Sequence, residues 1–544
     1  MRAFHFATLT LLLGCAIWIW QQFSAQPTVA SPEPIQCVSY SPFYQGSNPL
    51  DPNTHIPREQ IQQDLRLLSK QFPCVRTYSV ALGLDAVPEI AQSLGMQVYL
   101  GIWIGWVDSI NREQITRAIQ LSRQYPKTIK ALVVGNEVLL RGEQKPNTMR
   151  EYFRLIKQAT STPITYADVW EFWRMHKELA EEVDFITVHI LPYWENNPVA
   201  IQDAEHHVEA VMQLLQQEFK HPILIGETGW PAQGRQRFGA EPSLRNQVQY
   251  MQSFLQLAHQ HGWRYNLIEA FDQPWKRNLE GTVGGYWGMY DVDGQPKFTL
   301  GQAVAERNDP LLLAALLGLS LLMAANFLRT TAPSRATQQV DLWHYASVFS
   351  LSLMTALTLY LQVHYVWVAC RNYSEWMALI SFSAIAFGLL LMNIYLLIFR
   401  EIKYKVEVFY YHARWMLIAL ALYSIVTSAL LILDGRYRNF PNQIVLLPVL
   451  ISACSIILLP KPALWPQAGM VIARSITLGL SLLLVFGAAD VLKLEPNNCS
   501  AQLWCLINIV LAGLLLTARS SAEDSKPPAA LHDERLPHSG NSAA

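Results

Sequence analysis

Two glutamates close apolar runs of this chain: Glu137 in Leu132-Val-Val-Gly-Asn-Glu-Val138 and Glu227 in Ile223-Leu-Ile-Gly-Glu-Thr-Gly-Trp-Pro231. A carboxylate at the mouth of a buried strand is costly unless it is hydrogen-bonded, paired or used. Two of them, 90 residues apart, suggest two strands of one sheet aimed at one pocket. Paired acids in a pocket are the equipment for cleaving a glycosidic bond: one protonates the leaving oxygen, and the other attacks the sugar or activates water. Asn136 adds a donor for a sugar hydroxyl beside Glu137, and Trp230 offers a face on which a sugar ring can stack beside Glu227. A helix-capping Asn-Glu pair is the bland reading of the first motif, and Glu227 weighs against it.

Residues 30–306 must hold these side chains in place. Apolar, β-prone runs recur at 35–40, 74–78, 97–101, 131–134, 164–167, 185–189, 222–225 and 266–271. Stretches of helical period separate them. Ile61, Leu65 and Leu68 fall on one face after Pro57, and Asn111 with Gln114 reads as a capping box ahead of Ile115, Ala118 and Ile119. Eight strands each followed by a helix or long loop predict an α/β fold, a (β/α)8 TIM barrel. An open doubly wound sheet is the alternative, but no Gly-rich phosphate loop supports it.

In such a barrel the carboxyl ends of the strands face the site. Candidate substrate contacts are therefore Arg76 and Tyr78 after strand 2, Asp168 after strand 5, and His189 and Tyr193 after strand 6. Asp272, Trp275 and Lys276 follow strand 8. Tyr193, Trp230 and Trp275 read equally as sugar platforms or as packed aromatics. His189 reads as a hydrogen-bonded neighbour of the acid pair rather than a catalytic group. Asp291-Val-Asp293 precedes Gly294 and reads as a turn. No metal and no cofactor is expected.

The net charge of −1 over 544 residues averages two unlike parts. From Pro310 to about Thr517 long apolar runs dominate, and seven spans are predicted at 310–328, 343–363, 376–398, 415–433, 444–460, 470–490 and 502–518. Together they make an all-α multi-span membrane domain over 310–518. Residues 1–28 form a signal anchor or signal peptide, and 519–544 a disordered cytoplasmic tail. The positive-inside rule sets Arg2, Arg329, Arg335, Arg400, Lys403, Lys405, Lys461 and Arg519 in the cytoplasm. Arg371, Arg436, Arg438 and Lys493 fall on the other side, with the polar domain. Of seven cysteines only Cys37 and Cys74 lie in that domain. A disulfide between them is allowed outside the cytoplasm, but two buried thiols at the barrel base is the favoured expectation. No basic tract points to nucleic acid. No Gln-x-x-Arg-Trp signature of a processive sugar synthase occurs, the nearest string being Tyr411-His-Ala-Arg-Trp415.

Gly135-Asn-Glu-Val138, Glu227-Thr-Gly-Trp-Pro231 and Phe271-Asp-Gln-Pro-Trp-Lys276 followed by Trp287-Gly-Met-Tyr290 resemble glycoside hydrolase family 17. Val75-Arg-Thr-Tyr-Ser79, Thr165-Tyr-Ala-Asp-Val-Trp170 and Val188-His-Ile-Leu-Pro-Tyr-Trp-Glu195 are similar to its bacterial, membrane-attached branch of β-1,3-glucanases and β-1,3-glucan transglucosylases. The resemblance implies retaining chemistry, with Glu137 as acid/base and Glu227 as nucleophile. Where plant members carry a Glu, this chain has Gln273, which cannot ionise.

The expectation is a retaining β-1,3-glucan-active enzyme at the bacterial inner membrane, its catalytic domain periplasmic. It would act as an elongating or β-1,6-branching transglucosylase or as a glucanase. The other class is a non-catalytic glucan-binding or sensing barrel, against which both intact glutamates argue. Expected partners are β-glucan polysaccharide or oligosaccharide and the lipid bilayer. A separate glucan synthase is the candidate protein partner for the C-terminal spans.

Overall fold

Strand-forming Val, Ile and Tyr recur at short intervals in the polar half, and eight parallel strands built from them close in sequence order into a barrel. They are β1 Val38–Ser39, β2 Cys74–Arg76, β3 Gln97–Ile102, β4 Ile129–Asn136, β5 Ile164–Val169, β6 Ile186–His189, β7 Ile223–Thr228 and β8 Arg264–Leu267. The computed structural model describes residues 2–44, 46–331, 342–399, 403–458 and 470–517. The barrel is followed by an all-helical half.

Side chains alternate across a strand, and here the two sets build two cores. Val38, Val75, Val98, Leu132, Ile186 and Ile225 pack outward against amphipathic helices such as Arg58–Leu68 and Pro146–Ala159. Their neighbours Cys37, Cys74, Tyr99, Val133, Ala167 and Leu224 form a second cluster within the barrel. Val38 pairs with Val75, so Cys37 and Cys74 lie directly opposite on one face. They form a disulfide, with Cα atoms 4.5 Å apart, and not the two thiols expected. The register of two adjacent parallel strands brings the sulfurs together.

Two further expectations need correction. The helix expected to start at Asn111 runs Asp108–Gln124, and Asn111 and Gln114 are buried on its inner side. Asn111 bonds the backbone of Gly105 through both N–H and C=O, and Gln114 accepts from the Val80 N–H, so both tie loops to the helix instead of capping it. The last strand ends at Leu267, short of the predicted 271, which leaves Glu269 at the barrel mouth.

The helical half comprises Pro310–Thr331, Leu342–Ala369, Tyr373–Phe399, Lys403–Leu433, Asn442–Leu458, Met470–Leu494 and Cys499–Thr517, joined by the N-terminal helix Arg2–Phe23. Among the described residues six helices are long and apolar enough to cross a membrane. Arg335, Arg400, Lys461, Arg519 and the tail 519–544 lie outside the described residues. The loops bearing Arg371, Arg436 and Arg438 face the barrel: Arg277 donates to the carbonyls of Val368 and Cys370, and Arg235 donates to that of Arg438. Arg235 also pairs with Glu495, and Asn498 donates to the Gln236 carbonyl at 2.8 Å.

Candidate active site

Glu137 stands one residue beyond β4, in the left-handed region at φ 53°. That conformation costs a non-glycine residue about 1 kcal/mol and is held here from both sides. The Glu137 N–H donates to the Ala167 carbonyl at 2.7 Å, and its own carbonyl accepts from the Arg141 N–H at 2.9 Å. Gly135 prepares the turn: its φ is +87°, and a Cβ there would lie 2.6 Å from the Val138 side chain. The result throws the Glu137 carboxylate over the barrel mouth.

Glu227 reaches the same place from β7. Strict alternation from the inward Leu224 would turn Gly226 inward and Glu227 out. Register shifts on both flanks of this stretch, between Val188 and His189 and between Ile225 and Thr228, re-aim it, a recurrent use of bulges beside active sites. Only 5% of Glu227 is exposed. Its Oε1 accepts from Arg76 Nη1 at 2.5 Å and from the Tyr78 hydroxyl at 2.8 Å. The other end of the Arg76 guanidinium donates to Asn136 Oδ1 at 2.5 Å, locking the β2, β4 and β7 ends together.

His189, at the end of β6, lies between the two acids. Its Nδ1 is 2.8 Å from Glu137 Oε1 and its Nε2 is 3.7 Å from Glu227 Oε1. Burial disfavours its charge, but the Glu227 carboxylate and the bond to Glu137 outweigh burial and raise its pKa. Burial alone would raise Glu227. His189 and Arg76 overcome it and hold the carboxyl well below the usual carboxylate range. Glu227 is thus kept ionised in a nearly dry place.

One ligand atom from each of Glu137, His189 and Glu227 lies within 4.8 Å of the others, and these are donor types that also hold metals. The Arg76 guanidinium on Glu227 Oε1 already sets a fixed positive charge where a cation would sit. The donor set fits a hydrogen-bonded acid pair better than a metal.

Around this centre the expected substrate contacts divide. Asp168 is buried below Glu137, accepting from the Tyr166 hydroxyl and the Val169 N–H, and burial pushes its carboxyl up to about 6. Asp272 has partners of its own. It accepts from Lys297 Nζ and the Gly288 N–H and so anchors the Trp287–Tyr290 segment. Tyr193 and Trp230 are fully buried and contact each other edge to face at 6.0 Å. Tyr193 donates to the Arg235 carbonyl and Trp230 to that of Glu241. Both are packed aromatics with no open face, so only half-buried Trp275, tethered to Gln273 Oε1, keeps a partly open ring among the three. Gln273 itself is buried and donates to the Ser41 carbonyl.

Glu269 was missed. It is wholly buried at the end of the β8 run, and Lys276 Nζ donates to both its oxygens, at 2.8 and 3.0 Å. Burial pushes its carboxyl up to about 7 despite that ammonium. Its sequence signal is the one that marked Glu137 and Glu227: an acid within an apolar run, Asn266-Leu-Ile-Glu-Ala-Phe271. Asp291 Oδ1 accepts from the N–H groups of Asp293 and Gln295, a turn.

Residues 37–288 match the family model of the BtgE/BtgC glycoside hydrolase domain. The chain is similar to the glucan 1,3-beta-glucosidase BGL2 of Candida albicans, 28% identical over 264 residues that cover 44% of this chain and 84% of that protein. It is also similar to the glucan 1,3-beta-glucosidase of Saccharomyces cerevisiae, 24% identical over 266 residues covering 44% and 84%. Among solved structures it resembles a glycoside hydrolase family 17 β-1,3-glucanosyltransferase from Rhizomucor miehei, at 24% identity and TM-score 0.42, covering 48% of this chain and 94% of that one.

Proposed function

We propose that this chain is a β-1,3-glucan-active glycosidase that works by retention through a covalent glucosyl-enzyme and passes the sugar chiefly to another sugar hydroxyl. The single observation that carries the chemistry is the spacing of the acids, whose nearest oxygens fall within 4.8 Å together with His189. Such a close approach favours retention, because retaining enzymes hold their carboxyl groups nearer to each other, at about 5–5.5 Å, than inverting ones, which need about 6.5–9.5 Å to admit a water. The match to a glycoside hydrolase domain and the names of the fungal relatives support β-1,3-glucan as substrate.

Glu227 is the nucleophile, kept anionic by Arg76 and His189. Glu137 is the acid/base: it gives its proton to the leaving oxygen, then takes one from the incoming hydroxyl. His189 holds the Glu137 carboxylate in position through Nδ1. Arg76, Tyr78 and Asn136 bind the nucleophile and the sugar hydroxyls around it, and Trp275 is the stacking face. Lys276 contacts substrate at the rim while neutralising Glu269.

The helical half sits in a bacterial plasma membrane with the barrel on the outer side. A multi-span anchor suits an enzyme working on glucan as it emerges at that membrane, beside a separate synthase, and this supports transfer over hydrolysis. Glu227→Gln should lower turnover of laminari-oligosaccharides by about 10⁴-fold or more. Unchanged turnover would sink the catalytic reading. Product analysis at high oligosaccharide concentration then separates the outcomes: longer or branched chains mean transfer, shorter ones alone mean hydrolysis.

A further inference from the structure

The loops that follow β6, β7 and β8 all touch the helical half, and they do so at the carboxyl ends of the strands, where the acids stand. After β6, the Arg436 guanidinium lies 5.2 Å from the ring centre of Trp194, and Tyr437 meets that ring edge to face at 6.4 Å. After β7, Glu495 holds Arg235 and Asn498 holds the Gln236 carbonyl. After β8 the grip is double. That loop also carries Trp275 and Lys276, the stacking face and the rim cation of the site.

The β8 loop is built to face two ways. Lys276 Nζ turns inward to Glu269, whereas its neighbour Arg277 turns to the helical half and donates through Nη2 to the carbonyls of Val368, at 2.6 Å, and Cys370. These carbonyls lie at the carboxyl end of the helix Leu342–Ala369, where backbone acceptors lack partners in their own helix and a cation is favoured. Two glycines make room for this. A Cβ at Gly285 would lie 2.6 Å from Arg277 Cγ, and one at Gly284 would lie 2.7 Å from Glu280 Oε2 and 3.1 Å from Lys276 Cβ. Glu280 thus folds back beside Lys276. Burial pushes its carboxyl up to about 7 against the pull of Lys276, and the charges of Glu269, Glu137 and Glu227 add to the rise.

The second grip comes from the connection 434–441. Asn439 Nδ2 donates to the Thr282 hydroxyl at 2.9 Å, and a Cβ on Gly281 would lie 2.5 Å from the Tyr437 carbonyl. Between the two grips the loop has only the helix Arg277–Glu280 and a 3-10 turn at Thr282–Gly285, elements too short to hold their shape alone.

We propose that the helical half is a working part of the site: Arg277, by capping the helix Leu342–Ala369, is a positioning residue that holds Trp275, Lys276 and Glu280 at the mouth for the glucan chain. The proposal rests on the reading of Trp275 and Lys276 as substrate contacts and not on which acid is the nucleophile. Contacts made alike in ground and transition states show in KM and leave kcat alone.

Arg277→Ala in the full chain should therefore raise KM for laminari-oligosaccharides about fivefold or more, with kcat held within about twofold. Hydrogen exchange of the amides in 277–286 should quicken about tenfold. Arg277→Lys keeps a cationic donor for the two carbonyls and should recover most of both. Asn439→Ala loosens the loop from the other side and should move both readouts the same way by about twofold; it carries the test if Arg277→Ala does not fold. Arg245→Ala removes bonds to the Gln21 and Ser24 carbonyls, at the end of the N-terminal helix, and should change neither. Unmoved exchange would overturn the grip itself. Faster exchange with an unmoved KM would overturn its role at the site, and with it the reading of Trp275 and Lys276. An equal rise in KM in Arg245→Ala would overturn the proposal as general loosening.

Discussion

At the barrel mouth, buried charges meet buried charges. Arg76 lies on Glu227, Lys276 on Glu269 and Lys297 on Asp272, all in places from which water is largely excluded. The helical half has much buried polarity but little of this kind: among its described residues the buried polar side chains include no Asp, Glu, Lys or Arg, and its partly buried ion pairs, Arg371 with Glu375 and Glu495 with Arg235, sit at helix ends on the barrel side. Those buried side chains are hydroxyls, amides and two histidines, and several of the hydroxyls return to their own helix. Ser350, Ser352, Thr355 and Thr358 each donate to the carbonyl four residues earlier. Others reach across, as His5 does to Ser347, Gln362 to the Ile444 carbonyl, Asn393 to Ser452 and Trp504 to Ser428. A buried ion pair repays its desolvation poorly as a source of stability, whereas a hydroxyl bonded to its own helix costs little. Where the fold keeps the expensive kind, chemistry is the reason to look for.

The contrast breaks most visibly at Arg76. Arg76→Leu removes the cation from Glu227 and should lower kcat/KM on laminari-oligosaccharides by about 10²–10³-fold. Since Arg76 helps hold the Glu227 carboxyl down, the acid limb of the pH–rate profile should also move to higher pH. A fall in rate with an unmoved limb would make Arg76 a positioning residue only.

Lys276→Met tests the pair as a matter of stability. It leaves Glu269 buried without a cation, at a cost of about 3 kcal/mol near neutral pH. The Glu269 carboxyl is already raised to about 7. A carboxyl with a raised folded pKa favours the fold below its unfolded value near 4.5 and loses that stability as pH rises through 7. The deficit should therefore be large at pH 8 and small at pH 5 in urea titrations followed by tryptophan fluorescence, and Glu269→Gln added to the same chain should restore most of it. A deficit of equal size at both pH values would mean that packing, not charge, is at stake.

The smallest effect belongs to the other region. Thr355→Val keeps the shape of a buried side chain whose hydroxyl bonds only the Leu351 carbonyl at 2.7 Å. Thermal unfolding in detergent should change by no more than about 0.5 kcal/mol. A loss several times larger would show that the helical half also depends on its buried polarity.

The same contrast explains what could be read from the sequence. An acid in an apolar run is rare enough to stand out, so Glu137 and Glu227 were legible, and Glu269 carried the same mark within Asn266–Phe271. The barrel followed from eight spaced apolar runs, because period and spacing are local properties. What aromatic faces look at is not local. Tyr193 and Trp230 stand in sugar-site motifs, yet they pack against each other and against Trp287 and Tyr250. The Asn111 capping box failed for a like reason: the helix begins a turn sooner and uses that amide to hold Gly105. The contacts that join the barrel to the helical half, such as Arg235 with Glu495, link segments 260 residues apart, and no window of sequence holds both sides of them.

The bridge between Cys37 and Cys74 makes the redox state of the chain's surroundings readable from the chain itself. Disulfides persist where the surroundings are oxidising and are rare in the cytoplasm. Cys15, Cys370, Cys454, Cys499 and Cys505 remain thiols. Cys499 is exposed and adjoins Asn498, which grips the barrel at Gln236, so it shares a side with the bridge. With the helices in a membrane as proposed, a bulky, membrane-impermeant thiol reagent should tag Cys499 from the side that bears the barrel, and a chain kept from oxidation should carry two more free thiols, Cys37 and Cys74, at its barrel floor. Sidedness and maturation become readable from sulfur alone, with no sugar present.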